Sequence, residues 1–283
     1  LGGGCASGTL YTAGGGNTRM LLTLFFFIAG SVLGAWHLPW WSAQPNVGAI
    51  SLVSAWGVVP ALIAGLIVCA LIAAATVVVE RRRHGTLLSG VKTDRHGWRR
   101  FLHGPWPLLA GAVALAIGNF ATLYLAGRPW GITSAFALWG SKIIGAFGVD
   151  VASWGYWRTP ARAAALQQSV FADITSVMDF GIILGALLAA GLAGKFKPGW
   201  RIEPRSLLAA VIGGLLLGYG ARLAYGCNIG AYFSGIASSS LHGWVWLVAA
   251  FFGSILGTRL RPWFGLSVEG TLTRAQAGPV ARD

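Results

Sequence analysis

Two stretches near opposite ends of the chain carry residues able to handle a soft, charged solute. Gly4-Cys5-Ala6-Ser7-Gly8 stands near the start and Gly226-Cys227-Asn228-Ile229-Gly230 near the end; both read G-C-x-x-G. A thiol is a weak S–H donor and a polarizable acceptor, so it meets a terminal sulfur better than a hydroxyl does. Gly4, Gly8, Gly226 and Gly230 let the backbone approach a solute closely. Where such a motif opens a short helix, the free N–H groups and about half a unit of positive charge suit an anion. Asn228 and Arg222 are further polar candidates beside the second motif. The competing reading of either cysteine is a small buried hydrophobe. Cys69, in Val68-Cys69-Ala70, has no motif around it and is expected to be that. Three cysteines, an odd count, argue against a disulfide framework.

Other chemistries find no support. His37, His84, His96, His103 and His242 show no metal-ligand spacing, and there is no phosphate-binding loop. Ser7 and Ser234 have no His/Asp constellation, so no metal, no cofactor and no catalytic nucleophile are expected. Asp179 is the acidic residue deepest in an apolar run. It is either a functional group or simply the partner of Arg222. Asn17, Asn119 and Asn228 can line a path or make ordinary helix–helix hydrogen bonds.

The elements that position these residues are written in the composition. Of 283 residues, 55% are hydrophobic and 10% charged, against roughly 25% charged in a soluble domain. Most of the surface must therefore meet lipid. The 42 glycines suit close helix packing, and the 14 tryptophans suit the headgroup belt. A net charge of +13 would suggest nucleic acid in a soluble protein. Here the basic residues sit in short loops between apolar runs, which topology explains, and no nucleic-acid partner is expected.

Six stretches are near the length of a membrane span, about 20 apolar residues. They are Met20–Ala35, Trp56–Val79, Trp106–Gly127, Ile174–Gly194, Ser206–Ala224 and Leu241–Thr258. Arg81, Arg82, Arg83, Lys92, Arg95, Arg99 and Arg100 mark the loop at 80–104 as cytoplasmic. Lys195, Lys197, Arg201 and Arg205 do the same for the loop after the fourth span. Arg259, Arg261, Arg274 and Arg282 place the tail at 265–283 there too. The loop bracketed by Trp36, Trp40, Trp41 and Trp56 has no Lys or Arg and belongs outside. A crossing at Trp130–Val149 would break this pattern, so that segment is expected to be re-entrant or a helix pair returning to the same side.

The two cysteine motifs belong to longer repeats. Gly30-Ser31-Val32-Leu33-Gly34 and Pro39-Trp40 follow the first; Gly253-Ser254-Ile255-Leu256-Gly257 and Pro262-Trp263 follow the second. The two intervals differ by a single residue. The first repeat helix ends at the uncharged loop and the second at Arg259 and Arg261, so the copies point opposite ways. Inverted repeats are a transporter signature, with the site near the midplane. The expected architecture is an all-α polytopic membrane protein: about six spans plus short re-entrant segments, in one membrane domain over 1–283. Its repeat halves lie around 1–41 and 218–264. The chain opens on Leu1 inside a Gly-rich motif, which reads as the interior of a longer chain.

These motifs resemble the YeeE/YedE family. Gly2-Gly3-Gly4-Cys5-Ala6-Ser7-Gly8-Thr9-Leu10-Tyr11 looks like its second cysteine motif. The run Gly218-Tyr219-Gly220-Ala221-Arg222-Leu223-Ala224-Tyr225-Gly226-Cys227-Asn228-Ile229-Gly230-Ala231-Tyr232-Phe233 is similar to its C-terminal one. Arg128-Pro129-Trp130-Gly131-Ile132-Thr133-Ser134-Ala135 is similar to a further signature. The resemblance implies an inner-membrane permease for a small inorganic sulfur anion, thiosulfate foremost, or a selenium compound. It implies a central path lined by cysteines, of which Cys5 and Cys227 match here, with the first motif expected upstream of Leu1. It also implies a cytoplasmic sulfur-carrier protein as a partner. A membrane protein that exchanges thiols with a persulfide carrier is the alternative from another class.

Overall fold

The computed structural model describes residues 1–85, 87, 97–103 and 106–266. Lys92, Arg95 and His96 of the basic loop, and Arg274 and Arg282 of the tail, lie outside the described residues. Among the described residues there is no strand, only an isolated bridge between Ser51 and Ser240. The helices are α1 (Ala6–Gly14), α2 (Thr18–Ser42), α3 (Leu52–Trp56), α4 (Val58–His84), α5 (Gly97–His103) and α6 (Leu108–Ala126). There follow α7 (Thr133–Ala146), α8 (Pro160–Gln167), α9 (Ile174–Leu192), α10 (Pro204–Leu223), α11 (Ser234–Ala237) and α12 (Leu241–Leu260). Among the described residues six apolar helices are long enough to cross a membrane: α2, α4, α6, α9, α10 and α12. The protein is therefore an all-α, multi-pass membrane protein, with its spans where the apolar runs put them.

One boundary moves. The first span continues past Ala35 to Ser42, so Trp36, Trp40 and Trp41 ride on helix rather than loop. The extension has a partner: the Tyr219 hydroxyl accepts a hydrogen bond from Trp41 Nε1 at 2.8 Å and pairs with His37 Nδ1 at 3.1 Å.

The α2–α10 pair is the spine. Small residues let the two backbones touch, the usual device where lipid gives no hydrophobic drive to association. Gly30 packs on Leu215, Gly34 on Arg222, Gly214 on Thr23 and Phe26, and Gly218 on Phe27 and Ser31. The order of these contacts makes the two helices parallel. Arg19 at the start of α2 and Arg261 beyond the end of α12 lie near each other and near Leu1. At the other end, Leu52 N–H donates to Ser239 O at 2.9 Å and Leu241 N–H to Ile50 O at 3.1 Å. Helices α2 and α12 thus run in opposite directions, as their sequence repeat anticipates.

The segment Trp130–Val149 holds α7, whose 14 residues span only about 21 Å, short of the ~30 Å hydrocarbon core. It is also among the most buried parts of the chain: Ala135, Phe136 and Ala137 are inaccessible. By contrast α4 and α6 are almost wholly exposed and offer their surface to lipid. That corrects the expectation for Cys69, which is exposed on α4 rather than buried. A periodicity that is apolar on every side cannot tell a core helix from a lipid-facing one.

Candidate functional site

Each cysteine motif opens a short helix, and the two openings share an extended cysteine whose carbonyl caps the first turn. Cys5 precedes α1 in extended conformation (φ −83°, ψ −174°), and Cys227 precedes its helix likewise (φ −126°, ψ −161°). The cysteine carbonyl accepts the first helical hydrogen bond in both: Thr9 N to Cys5 O at 2.8 Å, Ala231 N to Cys227 O at 2.9 Å. The second segment differs from a plain half-helix. Asn228–Phe233 is a π-helical turn that passes into α11. Tyr232 N–H also donates to Cys227 O, at 3.2 Å. Gly226 (φ +156°) makes the preceding corner, where a Cβ would lie 2.7 Å from Ala231 N; no other residue fits.

The two openings converge. Cys227 packs against Ala6 of α1, so the backbone amides of Ile229 and Gly230, from its own turn, and of Ser7, from α1, lie close to its sulfur, with Cys5 nearby. One thiol therefore sits at the amino ends of two helices that approach it from different parts of the chain. The first-turn amides of a helix have no internal partner, so this point carries surplus donors and partial positive charge. Cys5 is half-buried and pairs with the Ser7 hydroxyl at 3.2 Å. Both thiols are free.

A cavity lies on either side. One, about 510 Å³, is lined by Gly226, Gly230, Arg222, Arg128, Arg162 and Thr133. The other, about 1000 Å³, lies at the α1–α2 turn and carries Arg19, Lys195, Lys197 and Arg201. Between them Cys227 is packed with Leu10, Phe27, Ile132 and Phe136, all essentially inaccessible. The conformation is closed at its centre, with a basic basin at each end.

Arg222 belongs to the smaller basin rather than to an ion pair. Its guanidinium donates to Tyr156 Oη at 2.9 Å and to Thr133 Oγ1, and its Nε has no partner. Asp179 makes no bond to it: both Asp179 oxygens are buried and unpartnered. The simple Asp179–Arg222 pairing is thus corrected; α7 and the chain after it supply the hydroxyls that hold the arginine. Thr133 belongs to the Arg128–Ala135 motif, but nothing in the sequence singled out Tyr156.

The remaining candidates divide. Gly230 faces Gly131 across the centre, where a Cβ would stand 3.9 Å from Gly131 Cα. Gly4 and Asn228 are exposed beside the two cysteines, and Gly8 lies one turn from Cys5. Asn17 caps α2, accepting from Met20 N at 3.2 Å, and Asn119 accepts from Trp130 N at 3.0 Å. Both are structural, and the second pins the start of the α7 segment.

Six spans, short helices that end at the core and two basins around a buried thiol define a membrane protein built to handle a solute. Residues 1–256 match the family described as "Sulphur transport", and the chain belongs to that family. It is 35% identical over 182 residues to the protein of Escherichia coli named "Probable transporter YedE", covering 61% of this chain and 43% of that one. It is 28% identical over 286 residues to the "Thiosulfate transporter TsuA" of Spirochaeta thermophila, covering 93% and 72%. To the Escherichia coli protein of that name it is 26% identical over 268 residues, covering 89% and 68%. The chain spans about two-fifths of the length of the YedE relatives it matches.

Proposed function

We propose that the chain is a permease of the bacterial inner membrane that passes a small inorganic sulfur anion, thiosulfate first among candidates. The observation that carries this is the Cys227 thiol at the convergence of two helix amino ends, between two basic cavities. The thiosulfate transporters among the relatives align over most of this chain, which supports the substrate class.

In this reading Arg222, Arg128 and Arg162 draw the anion into the smaller basin. Arg222 is preset by Tyr156 and Thr133 at the wall of that cavity. The anion then exchanges water for the amides around Cys227, with Gly4, Gly8, Gly226 and Gly230 letting the backbone approach and Asn228 adding a polar side chain. Fixed N–H dipoles replace part of the hydration shell without a trapping charge at the narrowest point, which release requires. Cys5 takes the anion next, and the basin with Lys195 and Lys197 receives it. No covalent step is needed. That basin and the C-terminal tail are cytoplasmic in this reading, by the positive-inside rule. Residues 1–41 and 218–264 form the halves of one inverted repeat within a single membrane domain. A cytoplasmic sulfur-carrier protein would collect the product.

The experiment is uptake of radiolabelled thiosulfate in cells stripped of other routes. Expression of the protein should restore uptake and Cys227→Ala should abolish it at equal membrane abundance. Undiminished uptake by the variant would remove the cysteine from the path.

A further inference from the structure

Helix α9 is a wall common to both cavities. Its capping residue Asp173 lines the smaller one, and Ala186, Ala189, Ala190 and Ala193 line the larger. Asp179 stands between, about 9 Å along the axis from Asp173 and about 10 Å from Ala186 at 1.5 Å per residue. It is wholly buried, and neither carboxylate oxygen has a hydrogen-bond partner. A bare carboxylate so placed is costly, and ionisable groups inside a membrane domain face a functional task by default.

Hydroxyl groups lead to it from the smaller cavity. The Ser176 hydroxyl donates to Asp173 Oδ2 at 2.7 Å, and Trp139 Nε1 donates to Ser176 Oγ at 2.8 Å. Ser134 donates to Thr175 Oγ1 at 3.1 Å. Thr175 and Ser176, both buried, precede Asp179 by one helical turn and so share its face. On the other flank α1 packs along α9 through Gly14 against Ile183 and Ala186. Five residues back on α1, about one and a half turns, is Thr9, also inaccessible and with its hydroxyl unpartnered.

The ionisable groups on the elements packed against α9 are few. Helix α1 brings Cys5 and Tyr11, α7 brings Lys142, and α5 brings Arg99, Arg100 and His103 at the far end. Lys142 is spent on Leu166 O and Gln168 O. Asp173 is the charged neighbour that bears on Asp179.

We propose that Asp179 is a proton-binding site that couples anion uptake to the proton gradient. A proton from the smaller cavity passes by Asp173 and Ser176 to the Asp179 carboxylate. It leaves toward the larger cavity as the anion crosses beside α1, one proton bound and one released per cycle. The proposal rests on the transport reading above.

The test uses the protein in liposomes with the membrane potential clamped. An inward gradient of ~1 pH unit raises the limiting accumulation by up to ~tenfold per coupled proton. The wild type should show that rise and Asp179→Asn should lose it, while still exchanging labelled for unlabelled thiosulfate. Asp179→Glu should keep at least part of the rise. Independently of transport, the infrared carbonyl band of a protonated carboxyl should be present in the wild type and absent from Asp179→Asn. Three results overturn the proposal: a full proton-driven rise in Asp179→Asn, a wild type that exchanges thiosulfate yet ignores the gradient, or a sodium gradient producing the same Asp179-dependent rise. Absence of any exchange with the infrared band intact would fault the transport reading and leave the proton site standing.

Discussion

A methyl group added at Gly218 meets backbone, and α2 cannot yield to it cheaply. A Cβ there would lie 2.6 Å from Ser31 N and 2.8 Å from Gly30 C, besides contacting Phe27 O. Ordinary contact needs about 3.5 Å or more, so α2 and α10 must separate by close to an ångström along their whole seam. Overpacking of this kind costs about 1–3 kcal/mol, and the rigid neighbours put Gly218→Ala at the upper end. Alanine's better helix propensity returns about 1 kcal/mol. The net is about 2 kcal/mol, or roughly thirtyfold in the folded population. Gly220, on the same helix, is the internal control: its Cβ would meet nothing within 4 Å. Gly220→Ala should therefore be neutral or slightly stabilising. Thermal unfolding in detergent, followed by monodisperse yield, separates the two. Equal stability of both variants would refute the claim that backbone contact between α2 and α10 holds the spine.

Arg222→Met should cut thiosulfate uptake severely, while Tyr156→Phe, which keeps the charge and removes one bond of about 1.5–3 kcal/mol, should lower it less. Initial rates across substrate concentrations check this; equal defects would mean that Arg222 acts through structure alone. A charged, membrane-impermeant thiol reagent should modify half-buried Cys5 before Cys227, which is 6% exposed. Thiosulfate should slow both reactions. Mass spectrometry of the labelled peptides reads the order, and faster labelling of Cys227 would contradict the closed centre.

Much of the architecture is legible before any coordinates. Hydropathy places six spans because a membrane helix must satisfy its backbone internally over a fixed thickness, and only long apolar runs do so. Loop charges argue against a crossing at Trp130–Val149, and the 14-residue α7 found there is short for a span. Cys5 and Cys227 stand out because the same motif recurs with downstream spacing that differs by a single residue, a signal that needs no structure.

What the linear pattern leaves undetermined is which side chains meet. Cys69 and Cys227 both sit in apolar surroundings, yet one faces lipid and the other the core, since uniform hydrophobicity carries no direction. Arg222 and Asp179 suggest a pair by charge alone. The tertiary structure gives the arginine to Tyr156 and Thr133 and leaves the aspartate alone beside α1. Composition and repeat thus determined the membrane fold and the two cysteines. Only packing decided that both lie at one junction of helix amino ends, because convergence depends on helix directions and close glycine contacts between segments far apart in the chain.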